Sequence, residues 1–125
     1  MEQRDGRARL QEPVTFAPFD IVVVPFPYSD QLAEKRRPAL VVSAPGMAAD
    51  LDRLWVVMIT SDRGKRLVGD APIEDLKSTG LPAASIVRAS KIATIDVARV
   101  LRLAGRLAPT DQDGAVAALK RCAGF

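Results

Sequence analysis

Three cations and a proline stand directly before an apolar run in the first half of the chain. Lys35, Arg36 and Arg37 precede Pro38, and the stretch continues as Ala-Leu-Val-Val-Ser, which predicts a buried strand. An arginine guanidinium stays protonated and donates two parallel hydrogen bonds to phosphate oxygens. Because the residue before a proline is restricted to extended backbone, the backbone aims the Arg37 side chain. The pattern predicts phosphate binding here, against the alternative of three solvated loop charges.

Two more basic clusters follow this one along the chain. They are Arg63, Lys65 and Arg66, and then Arg88 with Lys91. The whole chain carries 18 Lys and Arg against 15 Asp and Glu, a net charge of +3. A charge of this size is weak support for a polyanionic partner by itself. The inference of such a partner therefore depends on the clustering.

The composition removes several kinds of chemistry. The chain has no histidine and one cysteine, Cys122, so imidazole acid-base catalysis, imidazole metal sites and cysteine-rich zinc sites are excluded. A carboxylate-only magnesium site is not excluded by composition, but we expect no metal and no cofactor. Cys122 cannot form an internal disulfide, and we interpret it as a small core residue near the C-terminus.

The size of the chain predicts one domain, since it has 125 residues. The first fifteen residues mix three arginines with three carboxylates and lack the apolar core of a secretory signal. The longest apolar stretches are far shorter than the ~20 residues that span a bilayer. We expect a cytoplasmic protein without membrane association, with a polar N-terminal arm over residues 1–17 and one domain over residues 18–125.

Short β-branched runs between turn residues predict a mainly β domain. The predicted strands cover residues 20–26, 38–43, 54–60, 70–73, 85–92 and 100–107. A helical turn is predicted at 47–50, and Gly105 is expected to form a bulge or bend. Thr110 opens an amphipathic helix that its hydroxyl is expected to cap and that ends at Gly124. Together these elements predict a small barrel-like β domain with a C-terminal α-helix.

The order of these segments is similar to that of a known protein family. The segments that carry the likeness are FDIVVVPFPYSD, KRRPALVVS, LWVVMITSDRG and GLPAASIVRASKIATID, followed by the terminal helix. They resemble the PemK/MazF toxins of bacterial type II toxin-antitoxin modules, over roughly residues 19–119. The resemblance implies an SH3-like β-barrel of the PemK/MazF/CcdB type and a homodimer.

The resemblance also implies an activity and its partners. The expected activity is a metal-independent endoribonuclease, an mRNA interferase that cuts single-stranded RNA at short motifs and inhibits translation and growth. Attack by the 2′-hydroxyl on its own phosphate leaves a 2′,3′-cyclic phosphate and a 5′-hydroxyl. Such cleavage requires a base, a proton donor for the 5′-oxygen and fixed positive charge. The expected partners are RNA, a cognate antitoxin that blocks the RNA groove, and operator DNA bound through the toxin-antitoxin complex.

The resemblance assigns catalytic positions to Arg37, Thr60, Arg88 and Ser90. Arg37 would stabilise the phosphorane, and the Thr60 hydroxyl would donate to a phosphate oxygen, against the alternative that Thr60 only satisfies its own turn. The period of two in strand 85–92 places Arg88 and Ser90 on one face, together with Ile86 and Ile92.

The identity of the general base stays open, because position 90 is a serine. The PemK branch carries an aspartate there that is proposed as the base, and a serine hydroxyl lacks useful basicity near neutral pH. Asp62, Asp30 or Glu34 is an alternative base. The other alternative is a mechanism that relies mainly on Arg37 and Thr60, as in the MazF branch.

Further residues are expected to bind RNA outside the catalytic positions. They are Tyr28, Lys35, Arg36, Ser61, Arg63, Lys65, Arg66 and Lys91. The cations would grip phosphates without sequence preference, and Tyr28 would stack a base unless it only covers the core. Trp55 is interpreted as a core or dimer-interface residue.

Two rival functions stay open. A non-enzymatic gyrase poison similar to CcdB would end in Trp-Gly-Ile, whereas this chain ends in Cys-Ala-Gly-Phe, which argues against it. A degenerate toxin that binds RNA or antitoxin without cutting is favoured by Ser90 and disfavoured by the retained Arg37, Thr60 and Arg88.

Overall fold

The chain forms a six-stranded antiparallel sheet with a short helix and a C-terminal helix, in a computed structural model that describes residues 15–27 and 34–125. The elements are β1 Asp20–Pro27, β2 Glu34–Val41, α1 Pro45–Leu51, β3 Arg53–Ser61, β4 Asp70–Pro72, β5 Ser85–Asp96, β6 Arg102–Arg106 and α2 Pro109–Ala123, with a 3-10 turn at Val97–Arg99. The prediction of a mainly β domain with a C-terminal helix is confirmed. None of the helices within these residues is long and apolar enough to cross a membrane.

The strands pair in the order β4-β5-β3-β2-β1-β6. Within the residues that the structure describes, β4 and β6 do not pair with each other, so hydrogen bonds do not close the sheet into a complete barrel. β3 lies between β2 and β5, so these three strands are side by side although β5 is distant from the others in sequence. Side chains at neighbouring ends of these three strands can therefore share one site.

Both faces of the sheet are covered by apolar side chains, because successive residues of the strands point to opposite sides. One core lies on the side of α2 and contains Ile21, Leu40, Val57, Ile59, Val87, Leu107, Ala115 and Ala118. The other lies on the side of α1 and contains Val22, Val24, Ala39, Val41, Ala48, Leu54, Val56 and Met58. This two-sided burial explains why the sequence shows nearly continuous apolar runs in β1, β2 and β3.

The ends of two predicted elements need correction. β2 begins at Glu34 rather than at Pro38, because Arg36 and Arg37 already pair with Pro25 and Val24 of β1. The predicted Thr110 cap is wrong, since α2 begins at Pro109 with Ala108 as its N-cap and no side-chain cap bond. A proline at the first helical position supplies a helical φ angle and has no N–H to satisfy.

Two bulges interrupt the strand registers. On β5, Val57 pairs with Ile92 but the next residue, Met58, pairs with Arg88, so residues 89–91 are looped out of the ladder. The predicted alternation over 85–92 therefore breaks after Arg88, and Ser90 lies within this bulge. The bulge or bend predicted at Gly105 is confirmed, because the register of β6 against β1 shifts between Gly105 and Leu103.

Three side chains lie differently from what their sequence context suggests. Trp55 is 48% exposed, so the core interpretation is wrong for this residue. Cys122 is exposed on α2 instead of lying in a core. Phe16, which falls within the predicted polar arm, is only 8% exposed and packs into the core on the side of α1.

Candidate active site

A cleft of about 290 Å³ opens where β2, β3 and β5 lie side by side. The residues that line it are Arg37, Met58, Ile59, Thr60, Arg88 and Lys91. Ala39 pairs with Met58, and extending this register places Arg37 level with Thr60. Met58 in turn pairs with Arg88 on the other side. The cleft thus brings together Arg37, Thr60, Arg88 and Lys91 from the predicted site.

Arg37 is held by the sheet on its β1 side. It pairs with Val24 in the β1–β2 ladder, its side chain is half-buried, and its Nε atom is buried. Lys35, which shares this face of β2 through the period of two, is exposed at the start of the strand. Arg36 points to the opposite face and lines a separate groove with Leu81 and Arg102. The basic triplet is therefore divided between two surfaces.

Arg88 is fixed by a carboxylate that the sequence analysis did not identify as part of the site. Its Nε donates to Asp70 Oδ1 at 3.0 Å, and its Nη2 donates to Asp70 Oδ2 at 3.0 Å. The Asp70 side chain is fully buried, whereas that of Arg88 is 20% exposed. The hydrogen bonds from Arg88 hold the pKa of Asp70 below its ordinary value, and the same pair raises the pKa of Arg88.

The pairing of Asp70 with Arg88 could not be read from sequence spacing. The two residues are directly opposite each other in the β4–β5 ladder. β4 is a strand of three residues, and the segment between it and β5 forms turns that give no register. In the sequence, only the opposite charges of Asp70 and Arg88 and their places in two predicted strands point to this pairing.

Thr60 and its neighbour Ser61 lie differently with respect to the cleft. Thr60 is half-buried and lines it, whereas Ser61 is exposed and pairs with Ser85 at the end of the β3–β5 ladder. Successive residues of a strand point to opposite faces, so the two hydroxyls do not act as a pair in one place. Of the two, only the Thr60 hydroxyl belongs to a cleft-lining residue.

Asp62, one of the alternative bases, is engaged in its own turn. Its carboxylate accepts hydrogen bonds from the backbone N–H of Gly64 at 3.0 Å and from Arg66 at 2.8 and 3.2 Å. The hydrogen bonds from Arg66 are the main reason why the pKa of Asp62 lies below its ordinary value. A carboxylate with a lowered pKa is a weaker base. The same contacts occupy Arg66, which was expected to bind RNA.

The remaining predicted residues lie outside the cleft or outside the described residues. Ser90 is exposed in the β5 bulge and is not a lining residue. Arg63 and Lys65 are exposed on the segment between β3 and β4. Tyr28 and Asp30 fall outside the described residues, and Glu34 is described only through its backbone in β2.

The cleft combines three cationic side chains with one hydroxyl. Among the described residues that line it, none is a carboxylate. Over residues 15–27 and 34–125, no group of three or more cysteine, aspartate or glutamate residues is arranged to hold a metal ion. Guanidinium groups and a hydroxyl donor suit a phosphate group, whose negative charge they can stabilise through charge-assisted hydrogen bonds.

Several solved structures share the fold of this chain. An endoribonuclease from a mycobacterial species, solved in complex with its cognate antitoxin, has a TM-score of 0.73 at 16% identity, over 87% of this chain and 95% of its own. The Mycobacterium tuberculosis toxin MazF-mt6 has a TM-score of 0.68 at 21% identity, over 85% of this chain and 97% of its own. MazF from Deinococcus radiodurans has a TM-score of 0.71 at 18% identity, over 90% of this chain and 99% of its own.

At these identities the structures establish the fold. A search of curated protein sequences finds no significant match. A family model described as the PemK-like, MazF-like toxin of type II toxin-antitoxin systems matches residues 17–122. Since this match covers most of the chain, the protein belongs to the PemK-like, MazF-like family of type II toxins.

Proposed function

We propose that this toxin is a metal-independent endoribonuclease that cuts single-stranded mRNA at short sequence motifs and thereby inhibits translation and growth. The observation that supports this proposal most strongly is the meeting of Arg37, Thr60, Arg88 and Lys91 in one cleft. The family to which the chain belongs and the cationic lining of the cleft point to the same substrate, a phosphodiester.

In the proposed reaction the scissile phosphate lies between the two arginines. The 2′-oxygen forms a bond to phosphorus while the bond from phosphorus to the 5′-oxygen breaks, which leaves a 2′,3′-cyclic phosphate. Arg37 and Arg88 stabilise the added negative charge of the phosphorane, and the Thr60 hydroxyl donates to a phosphate oxygen. The fixed guanidinium charges supply the electrostatic stabilisation that a metal ion supplies in other nucleases.

The proton of the 2′-hydroxyl must pass to a base, and the departing 5′-oxygen must gain a proton, which solvent water supplies. Asp62 is disfavoured as the base, since Arg66 and Gly64 occupy its carboxylate. Ser90 is disfavoured as the base because a serine hydroxyl has little basicity near neutral pH and because the residue is exposed in the bulge. We therefore favour a mechanism that depends mainly on Arg37 and Thr60, with Asp30 and Glu34 as the remaining candidate bases.

The RNA strand is proposed to extend from the cleft along nearby cations. Lys35 shares the face of Arg37, Lys91 lines the cleft, and Arg63 and Lys65 are exposed on the segment between β3 and β4. Arg36, Ser61 and Arg66 would act only at the periphery, through long-range charge or surface contacts. Stacking of a base on Tyr28 stays a prediction.

The proposed protein partner is a cognate antitoxin that covers the cleft, with operator DNA bound through the complex. The mycobacterial endoribonuclease and a Deinococcus radiodurans MazF were both solved in complexes, with a cognate antitoxin and with MazE respectively. A cationic cleft suits an acidic peptide segment as well as RNA. We propose that the toxin is a homodimer and acts in the cytoplasm, where mRNA is present.

The direct test is incubation of purified toxin with a long single-stranded RNA in EDTA, followed by mapping of the new 5′ ends. The proposal predicts cuts at a repeated short motif, with 5′-hydroxyl and 2′,3′-cyclic phosphate ends. Cuts that require added Mg²⁺, or products with 5′-phosphates, would contradict the proposed reaction.

A non-catalytic RNA-binding toxin is the second candidate. One observation favours it: no carboxylate is found among the described residues that line the cleft. In the same assay this candidate predicts salt-sensitive RNA binding without cuts.

A further inference from the structure

The carboxylate of Asp70 stands at the centre of three hydrogen bonds beside the cleft. Two come from Arg88, each at 3.0 Å, and the third comes from the backbone N–H of Leu67 at 2.8 Å. The Asp70 side chain is fully buried, so water does not compete for these bonds. Both of its oxygens are occupied, which makes Asp70 a poor candidate for the base.

Asp70 contacts only one edge of the Arg88 guanidinium, so the other N–H groups can bind a substrate. An arginine has five N–H donors in one plane. Asp70 accepts from Nε and from Nη2, which lie on the same edge of that plane. The two Nη1–H groups and the second Nη2–H group are not used by Asp70. The Nη1 and Nη2 donors together form the fork that binds two oxygens of a phosphate.

Fixing the side chain has a clear benefit for catalysis. A solvated arginine loses rotamer entropy when it is held in one geometry. In this structure Asp70 and the β4–β5 ladder already hold Arg88, since the two residues are directly opposite in the register. The plane of the guanidinium is therefore set before a substrate arrives, as electrostatic stabilisation of a transition state requires.

We propose that Asp70 is a positioning residue, which orients the Nη1–Nη2 fork of Arg88 toward the scissile phosphate in the cleft. This inference rests on the proposed ribonuclease function of the same cleft. It assigns no chemical step to Asp70, which acts only through Arg88.

A purely structural role is the rival explanation, because Asp70 also anchors the segment before β4 through Leu67.

A matched control is available elsewhere in the chain. Asp20 likewise accepts from a backbone N–H three residues earlier, that of Ala17 at 2.9 Å, and from an arginine, Arg106 at 2.9 Å. Neither Asp20 nor Arg106 lines the cleft. Asp20→Asn therefore alters an aspartate–arginine contact of the same kind, although a more exposed one, without touching Arg88.

The test measures single-turnover cleavage of an RNA oligonucleotide that carries the mapped motif, with Asp70→Asn and Asp20→Asn compared with the unchanged toxin. We expect Asp70→Asn to slow cleavage by roughly 10- to 100-fold, the range seen when outer partners of metal ligands are removed. Its affinity for a non-cleavable oligonucleotide with a 2′-deoxy residue at the cut site should change less than about 3-fold, because its role is orientation. Asp20→Asn should cleave within about 2-fold of the unchanged toxin, while thermal unfolding records what each variant loses in stability.

A double-mutant cycle separates the proposal from its rival. If Asp70 acts through Arg88, Asp70→Asn added to Arg88→Ala should slow cleavage by less than about 2-fold further. An additive loss in the double variant, or an Asp70→Asn variant that cuts at the unchanged rate, would overturn the positioning role alone. A toxin that does not cut RNA at all would overturn the proposed function, and the inference with it.

Discussion

Arg36 and Arg37 are neighbours in the chain, yet they lie on opposite faces of β2. Arg37 lines the cleft with Thr60, whereas Arg36 lines a groove with Leu81 and Arg102. A basic triplet in a strand is thus not one charge cluster, because alternate side chains point to opposite sides. The chemistry proposed for this stretch belongs to Arg37.

The same alternation gives a prediction for the two hydroxyls at the end of β3. Thr60→Val keeps the shape of the side chain but removes the donor that the proposed mechanism aims at the phosphate. We expect single-turnover cleavage to fall by about 100-fold, as when one oxyanion donor is removed from another enzyme. Ser61→Ala, on the exposed neighbour, should have a much smaller effect. Equal rates for Thr60→Val and the unchanged toxin would exclude the Thr60 hydroxyl from the reaction.

Gly80 allows the loop before β5 to pack closely against the edge strand β6. Gly80 has a φ of +72°, and a Cβ at this position would lie 2.2 Å from the carbonyl oxygen of Ala104. Gly64 has a similar φ of +83°, but a Cβ at this position would meet no heavy atom within 4 Å beyond its chain neighbours. The two glycines share the backbone conformation and differ in packing, so they form a matched pair.

Substituting each glycine by alanine separates these two effects. Gly64→Ala should lower the free energy of unfolding by about 1–2 kcal/mol, the cost of a left-handed backbone for a residue with a Cβ. Gly80→Ala should lower the free energy of unfolding by roughly 1–3 kcal/mol more than Gly64→Ala does, because the backbone of β6 must move. Urea denaturation of both variants measures the difference. Equal losses would show that the loop and β6 are not in close contact.

The elements that could be predicted from the sequence are those set by local patterns. Short apolar or alternating runs located all six strands, and glycine and proline signals marked several of the turns between them. The bulge at residues 89–91 and the true start of β2 depend on partner strands, which local periodicity does not contain. For the same reason Arg37, Thr60 and Arg88 were identified through family resemblance, whereas Asp70 was missed, since its role appears only when β4 is paired with β5.

One exposed apolar patch on the surface of the toxin is the candidate dimer interface. It combines Trp55, 48% exposed, with Ile92, 56% exposed, and Phe125, 91% exposed, around a groove that Val42 and Leu119 also line. Exposed apolar side chains that cluster on a protein surface are typical of an interaction site. Because the core interpretation of Trp55 is wrong, its dimer-interface interpretation is the one that remains.

The prediction for this patch concerns the mass of the toxin in solution. We expect the unchanged toxin to have the mass of a dimer by light scattering, and Trp55→Glu to shift it to a monomer because a charge would be buried at the interface. Asp113→Ala, on an exposed position of α2 away from the patch, is the control. A dimer that survives Trp55→Glu at micromolar concentration would place the interface elsewhere.

If the cleft around Arg37 is the catalytic site of a ribonuclease, RNA cleavage must depend on this arginine. The decisive experiment compares the single-turnover rates of RNA cleavage in EDTA for Arg37→Ala and for Arg121→Ala, which removes the same charge from the exposed end of α2. We expect the rate to fall by about 1,000-fold or more for Arg37→Ala, comparable to removing an arginine finger, and to change by less than about 2-fold for Arg121→Ala. Cleavage by folded Arg37→Ala at the rate of the unchanged toxin would exclude this cleft as the catalytic site.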